Sequence, residues 1–281
     1  MSTAASLINL AVVLHGMGDL KGARKHNEQG LAIMKDVQGD KHIDTAIFRN
    51  NLGSVLKDMG DLEGAKANYE EVLVIWRRSL GKRHPQTALS LSNLGAVLQD
   101  MGDLEGAKAH CEEALDIWQD VLGKRHPDTA LSLSNLGGVL NDIGDLEGAK
   151  AHREEVLDIR QEALGEEHPD TIESFRMLGI VLRDMGDLDV AQSYLEKALA
   201  FRKKTLGDNH EDTAMCMLSF GLLMQKKSDL DTAQSYFEQA LAIFKEELGP
   251  EHARTEAAQK DLDALMQQRN EEDDAQDGKA V

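Results

Sequence analysis

Six histidines, His42, His84, His126, His168, His210 and His252, recur at intervals of 42 residues. Histidine is a metal ligand, a general base or a hydrogen-bonding anchor, so the spacing must decide between these roles. Zinc requires ligands that converge to about 2.0–2.3 Å from one point. If the chain is a stack of equivalent units, equivalent side chains lie one packed helix pair apart, about 10 Å or more, since neighbouring helices sit roughly 8–10 Å from each other. These histidines then cannot share an ion. The expectation is no metal site, with each histidine holding the turn before a helix, beside Pro85, Pro127 or Pro169 at or near the first helical turn.

Other residue types that could do chemistry fare no better. Cys111 and Cys216 are far apart and neither belongs to a CxxC pair, which suits a reducing compartment and a cytoplasmic location. Cys111 falls at the place that Tyr69, Arg153, Leu195 and Phe237 take in other blocks, so it reads as a substituted helix position and not as a nucleophile. Trp76 and Trp118 share their place with Arg160, Arg202 and Phe244, and a place that accepts both Arg and Trp is expected to be partly exposed. The chain has no glycine-rich phosphate loop, nucleophile elbow or helical HExxH. The expectation is a non-enzyme with no cofactor.

What must position these residues is a repeat. Asp19, Asp61, Asp103, Asp145, Asp187 and Asp229 keep the same 42-residue beat, without insertion or deletion. The blocks Gly81–Leu122 and Gly123–Leu164 differ at nine of 42 positions. Such regularity specifies a solenoid of six units. Within one unit Ala88, Leu91, Leu94, Leu98 and Met101 recur every three or four residues, marking one face of a first helix. Leu104, Ala107, Cys111, Ala114, Leu115, Trp118 and Leu122 mark a second, longer one. Between them stands "MGD": Gly102 suits the left-handed end of one helix, and Asp103 suits the cap of the next.

A small residue recurs in each first helix (Ala11, Gly53, Gly95, Gly137, Gly179, Gly221) and an alanine in each second (Ala23, Ala65, Ala107, Ala149, Ala191, Ala233). Glycine inside a helix costs roughly 0.5–1 kcal/mol against alanine, so its return in register implies a tight crossing, most simply with the backbone of the neighbouring helix. The run Leu91, Leu94–Gly95, Leu98, Ala107, Cys111 resembles the tetratricopeptide repeat, and the sixth unit matches it more closely with Met217, Phe220–Gly221, Met224, Ala233 and Phe237. The longer second helix, ending at "LG" and followed by "xxHPxT", is similar to the kinesin light chain subfamily, as in Glu112–Gly137. The resemblance covers roughly residues 4–270. It implies an all-α, right-handed superhelical solenoid of helix–turn–helix units with a C-terminal capping helix.

The expected organisation is one solenoid domain over 1–270, with units at about 4–38, 39–80, 81–122, 123–164, 165–206 and 207–248 and a cap helix at 253–270. Asp263 stands in the cap where the glycine would be. Residues 271–281 read as an acidic disordered tail. The first unit lacks its own "LGxxHP" lead-in, which suggests a piece of a longer array. Net charge is −19, with 29% charged and 4% aromatic residues, so nucleic acid and anionic membrane surfaces are poor partners. No apolar run approaches the roughly 20 residues needed to span a bilayer.

In superhelices of this type the first helices line the concave surface. One stripe of that surface carries Asn9, Asn51, Asn93 and Asn135, followed by Met177 and Ser219. Further along lie Lys57, Gln99, Asn141, Arg183 and Gln225, while Arg176 adds a second cation in the fifth unit. An asparagine offers one acceptor and two donors, enough to hold an extended backbone without reading side chains. The resemblance to kinesin light chains carries that role onto Asn51, Asn93 and Asn135, and implies acidic, tryptophan-bearing peptides as ligands. Against that preference, four first helices end in an acid: Asp58, Asp100, Asp142 and Asp184. The functional expectation is a non-catalytic scaffold binding an extended peptide or partner segment, basic or mixed in charge, across units two to five. The candidate site is Asn51, Asn93, Asn135, Lys57, Gln99, Asn141, Arg176 and Arg183. A monomer or weak self-association is expected. The alternative is a structural or sensor module of a larger NTPase-type protein.

Overall fold

The computed structural model describes residues 2–277, with side chains for residues 3–271. It contains helices and no strand among the described residues. The chain divides after Asp145 into two compact units. The first holds α1 (Ser2–Gly16), α2 (Leu20–Gln38), α3 (Ile43–Asp58), α4 (Leu62–Ser79), α5 (Pro85–Asp100), α6 (Leu104–Leu122) and α7 (Pro127–Ile143). The second holds α8 (Leu146–Leu164), α9 (Pro169–Met185), α10 (Leu188–Leu206), α11 (Glu211–Lys226), α12 (Leu230–Glu247) and α13 (Ala253–Asp277). Odd-numbered helices α1 to α11 are the first helices of their repeats and even-numbered helices the second. Each packs on its neighbours in sequence within its unit, as an all-α repeat solenoid requires.

Two short motifs repeat the turns. Gly18, Gly60, Gly102, Gly144 and Gly186 all adopt positive φ between the helices of a pair. The aspartate carboxylates of Asp19, Asp61 and Asp103 accept from the backbone N–H of Gly22, Gly64 and Gly106, and Asp229 accepts from Thr232. In the loops between repeats each of the six histidines is a helix cap. His84 Nδ1 accepts from the Gln86 N–H at 3.1 Å, and His42, His126, His168, His210 and His252 repeat the bond. Such a cap satisfies one of the four free donors that open a helix. The threonine of "LGxxHPxT" has a role that spacing alone did not reveal. The buried Thr87 hydroxyl donates to the Gly81 carbonyl at 2.9 Å, and Thr45, Thr129, Thr213 and Thr255 close the same loop.

The helix crossing differs from the expectation in one respect. A Cβ on Gly95 would first meet a side chain, Cys111 Sγ at 2.8 Å, and only then the Ala107 carbonyl oxygen at 3.3 Å. Gly53 faces Tyr69, Gly179 faces Leu195 and Gly221 faces Phe237 in the same way. The glycine therefore admits a side chain of the second helix as well as its backbone. Gly30 shows the same trade on another contact, where the ring of Phe48 fills the space that a Cβ would take.

Two further expectations are corrected. The shared tryptophan place is partly exposed at Trp118 and Arg160, as expected, but Trp76 is buried at 4% exposure, and so are Phe244 and Arg202. Arginine fits because its guanidinium finds protein acceptors where it is packed: Arg202 donates to the Pro169 carbonyl and pairs with Asp212, and Arg160 donates to the Asp170 carbonyl and Ser174 Oγ. Helix α13 runs to Asp277, so the backbone of residues 271–277 is helical where composition pointed to a tail. Its first half is anchored by buried Thr255, Ala258 and Leu265, and residues 271–277, three of them aspartates, continue a helix that is already nucleated. Residues 278–281 lie outside the described part. Asp263 is exposed, as a capping helix without a crossing partner allows.

Candidate functional site

In the first unit α1 touches α3, α3 touches α5 and α5 touches α7, so the first helices occupy the tighter side of the stack. In the second, α9 touches α11. On this side polar residues join successive first helices at a constant offset of 43 residues. His15 pairs with Asp58, Lys57 with Asp100 at 3.3 Å, and the Gln99 amide donates to Asp142 at 2.6 Å. A parallel row joins Asn93 Nδ2 to Asn50 Oδ1 at 3.2 Å. Each rung links a residue near the end of one first helix to its counterpart plus one on the next.

The sequence candidates fall into three groups on this ladder. Lys57 and Gln99 are rungs, and each holds one of the rim acids. Asn51, Asn93 and Asn135 are half-buried along the first-helix face, with Asn93 tied to Asn50 and no partner to the other two among the described residues. Asn141 is half-buried, and its Oδ1 has no hydrogen-bond partner among the described residues. In the second unit Arg176 is largely buried, gripping Glu173 through two nitrogens and donating to Ser219 Oγ at 3.1 Å. It serves the packing of α9 on α11 more than it faces solvent.

Arg183 marks a break. By the 43-residue rule its partner would be residue 226, but that residue is Lys226. Arg183 turns instead to the adjacent Asp184, with contacts of 2.8 and 2.7 Å. The next rung resumes, with Gln225 donating to Gln268 at 2.9 Å. Around the break a depression of about 440 Å³ is lined by Arg183, Asp184, Leu222, Gln225, Lys226 and Gln268. Asp261 of α13 also belongs to this neighbourhood: burial pushes its carboxyl up, opposed by Lys260 and Arg183.

Burial pushes the Cys111 thiol up to about 11, and the Cys216 thiol up to about 12 against the opposing charge of Arg176, so neither is a ready nucleophile. Among the described residues no group of three His, Cys, Asp or Glu side chains could hold an ion. No described helix is long and apolar enough to cross a membrane.

Repeated helix pairs with a glycine–alanine crossing define a helical-repeat scaffold class, and comparison with known proteins places the chain within it. The tetratricopeptide repeat family model matches residues 2–66, 44–108, 89–149, 131–204 and 178–246, and the chain belongs to that family. A solved structure of nearly identical TPR-like repeats from Podosopora anserina, assigned as a kinesin light chain, is 24% identical with a TM-score of 0.62, covering 74% of this chain and 98% of its own. BtubC (BKLC) from P. vanneervenii is 20% identical, covers 88% of this chain and 92% of its own, and has a TM-score of 0.62. The apo form of RapI is 15% identical over 95% of this chain and 97% of its own, with a TM-score of 0.68. At these identities the likeness is one of fold. No curated protein sequence is similar enough to count as a match. The architecture fits a protein-interaction scaffold.

Proposed function

We propose that the protein is a non-catalytic scaffold whose first-helix face binds an extended peptide segment, basic or mixed in charge. The observation that carries this reading is the row Asn51, Asn93 and Asn135, half-buried on three successive first helices of one unit. First helices in direct contact lie about 8–10 Å apart. An extended peptide rises about 3.3 Å per residue, so it meets one asparagine roughly every three residues. Each amide has a donor and an acceptor to offer the ligand backbone.

The rim acids supply the charge preference. Asp58, Asp100 and Asp142 are each engaged by one residue of the preceding repeat, and a carboxylate with two oxygens retains acceptor capacity for a lysine, an arginine or a backbone N–H. The chain's net charge of −19 favours the approach of basic segments over acidic ones.

Isothermal titration against extended peptides of basic, mixed and acidic charge tests the reading. The expected result is selective binding of basic or mixed peptides, weakened about tenfold or more by the double substitution Asn93→Ala and Asn135→Ala, since two neutral hydrogen-bonding sites contribute roughly 1 kcal/mol each. Affinity unmoved by that pair removes the groove reading.

A further inference from the structure

Three exposed apolar residues stand in register on successive first helices of the first unit. Ile47, Leu89 and Leu131 hold the same place in α3, α5 and α7, and they are 42%, 39% and 52% exposed. Single exposed aliphatic side chains are ordinary on a protein surface. Here α3 touches α5 and α5 touches α7, so the three form one continuous strip. In α3 Ile47 is followed by Asn51 and Asp58, spacings of four and eleven residues that keep all three on one helix face. Leu89, Asn93 and Asp100 repeat the order in α5, and Leu131, Asn135 and Asp142 in α7. At 1.5 Å per residue the apolar row lies about 6 Å to one side of the asparagines, and the acids about 10 Å to the other. The places between asparagine and acid are small: Ser54, Ala96 and Gly138. In the second unit this plan is lost. Glu173 takes the apolar place of α9 and is tied to Arg176, while Ile180 and Leu222 take the small one.

Building on the groove proposed for the first-helix face, we infer that the first unit takes a partner segment in the polyproline II conformation, with one apolar and one basic residue in every three. The period selects the conformation. First helices in contact repeat about every 8–10 Å. A β-strand ligand alternates its side chains, so residues three apart, about 10 Å, point to opposite sides and cannot both meet the apolar row. Polyproline II has three residues per turn at about 3.1 Å each, so the same edge returns every 9 Å or so, the repeat of the helices. One edge of such a segment lies along Ile47, Leu89 and Leu131, a second reaches Asp58, Asp100 and Asp142, and the third faces solvent. The backbone passes over the asparagines. Polyproline II makes no internal hydrogen bonds, so its carbonyls and remaining N–H groups are available to Asn51, Asn93 and Asn135. Charge chooses the second edge. Asp58 and Asp100 are about half exposed, with acceptor capacity left beside His15 and Lys57, in a chain of net charge −19.

Calorimetric titration tests the period with a peptide of about twelve residues, Leu-Lys-Pro repeated over roughly four turns. Its control has the same composition, with Leu and Lys alternating and the prolines gathered at one end. The period-three peptide is expected to bind about tenfold more tightly than the control. The triple variant Ile47→Ala, Leu89→Ala, Leu131→Ala is expected to weaken it by about tenfold or more, since three aliphatic contacts are lost. Alanine favours helix, so the far-ultraviolet signal of that variant should be unchanged. Asp58→Asn with Asp100→Asn should weaken the lysine peptide several-fold and leave unmoved a peptide with Gln at every Lys. Equal binding of the period-three peptide and its control, or affinity indifferent to the triple variant, overturns the inference. So does a sedimentation dimer abolished by the triple variant, which would mean that a second copy of the chain covers the strip. The pair Asn93→Ala, Asn135→Ala separates the two proposals. If it weakens two peptides that bind equally well, the groove stands and the period fails; if it weakens neither, the groove itself fails.

Discussion

The third repeat, α5 with α6, and the sixth, α11 with α12, share one plan, and among their many sequence differences three fall on the crossing, the turn and the ladder. Where Gly95 meets the sulfur of Cys111, Gly221 meets the ring of Phe237. Where the third repeat turns on Gly102 with φ of 82°, the sixth turns on Ser228 with φ of 64°. Where Asp100 accepts from Lys57, the sixth repeat carries Lys226 opposite Arg183. The histidine cap and threonine clasp are the same in both. The loops that set helix direction are thus held constant, while the crossing, the turn and the ladder tolerate change. Each of the three differences makes a distinct energetic claim.

The crossing carries the largest. A methyl group on Gly221 would lie 2.6 Å from a Phe237 ring atom and 3.4 Å from the Ala233 carbonyl oxygen. Overpacking of this kind costs about 1–3 kcal/mol, of which a better helix former returns roughly 0.5–1. Gly221→Ala is therefore expected to destabilise by about 1–2 kcal/mol net, by the same arithmetic. Gly95→Ala should do less, because a single sulfur can rotate aside, and adding Cys111→Ala should recover most of the loss. The first repeat carries Ala11 and Asn27 at these two places, a second-helix residue smaller than Phe237. Urea unfolding of the four proteins decides the matter. Equal losses at the two glycines, or no recovery in the double variant, would break the contrast.

The turn comes next. A non-glycine residue at positive φ costs about 1–2 kcal/mol relative to a relaxed one, less for a small polar side chain. Ser228→Gly is expected to stabilise by about 1 kcal/mol, and Gly102→Ser to destabilise by a similar amount. If Ser228→Gly proves neutral or harmful, the serine is supplying something the backbone angle does not explain.

How much of this the sequence disclosed depends on whether a position repeats. The period, the helix pairs and the Gly102–Asp103 turn were legible because six copies average out local accident. Spacing alone placed the histidines on separate, equivalent turns. Their capping role through Nδ1 was only half visible, since a turn anchor can act through ring or backbone. The Thr87 clasp was missed although the threonine was in plain sight, because its partner is a carbonyl, and every residue has one. Trp76 was misplaced for a different reason: arginine at the same position was read as exposure, which holds at Trp118 and Arg160, whereas Arg202 shares the buried place by bonding a carbonyl there. Along the candidate site, residue types could not show that Lys57 and Gln99 were already engaged. That depends on a 43-residue offset between helices, which no single repeat displays.

The broken rung is the smallest of the three differences and the one nearest the candidate site. Lys226→Asp would put a carboxylate opposite Arg183, where the third repeat has Lys57 with Asp100. Arg183 already has Asp184 at 2.7 Å, so the new acid gains only a share of an existing pair. Exposed pairs are worth about 0.2–1 kcal/mol, and a shared one belongs at the low end. Thermal unfolding is expected to rise by a degree or less at low salt, and the gain should vanish in high salt as the charges are screened. Peptide titration makes the same substitution more informative. If the second unit contacts the ligand through Lys226, a mixed-charge peptide loses affinity on Lys226→Asp while a purely basic one gains it. Equal responses from both peptides would mean that the depression beside Arg183 is a gap in the ladder and not a contact for the partner.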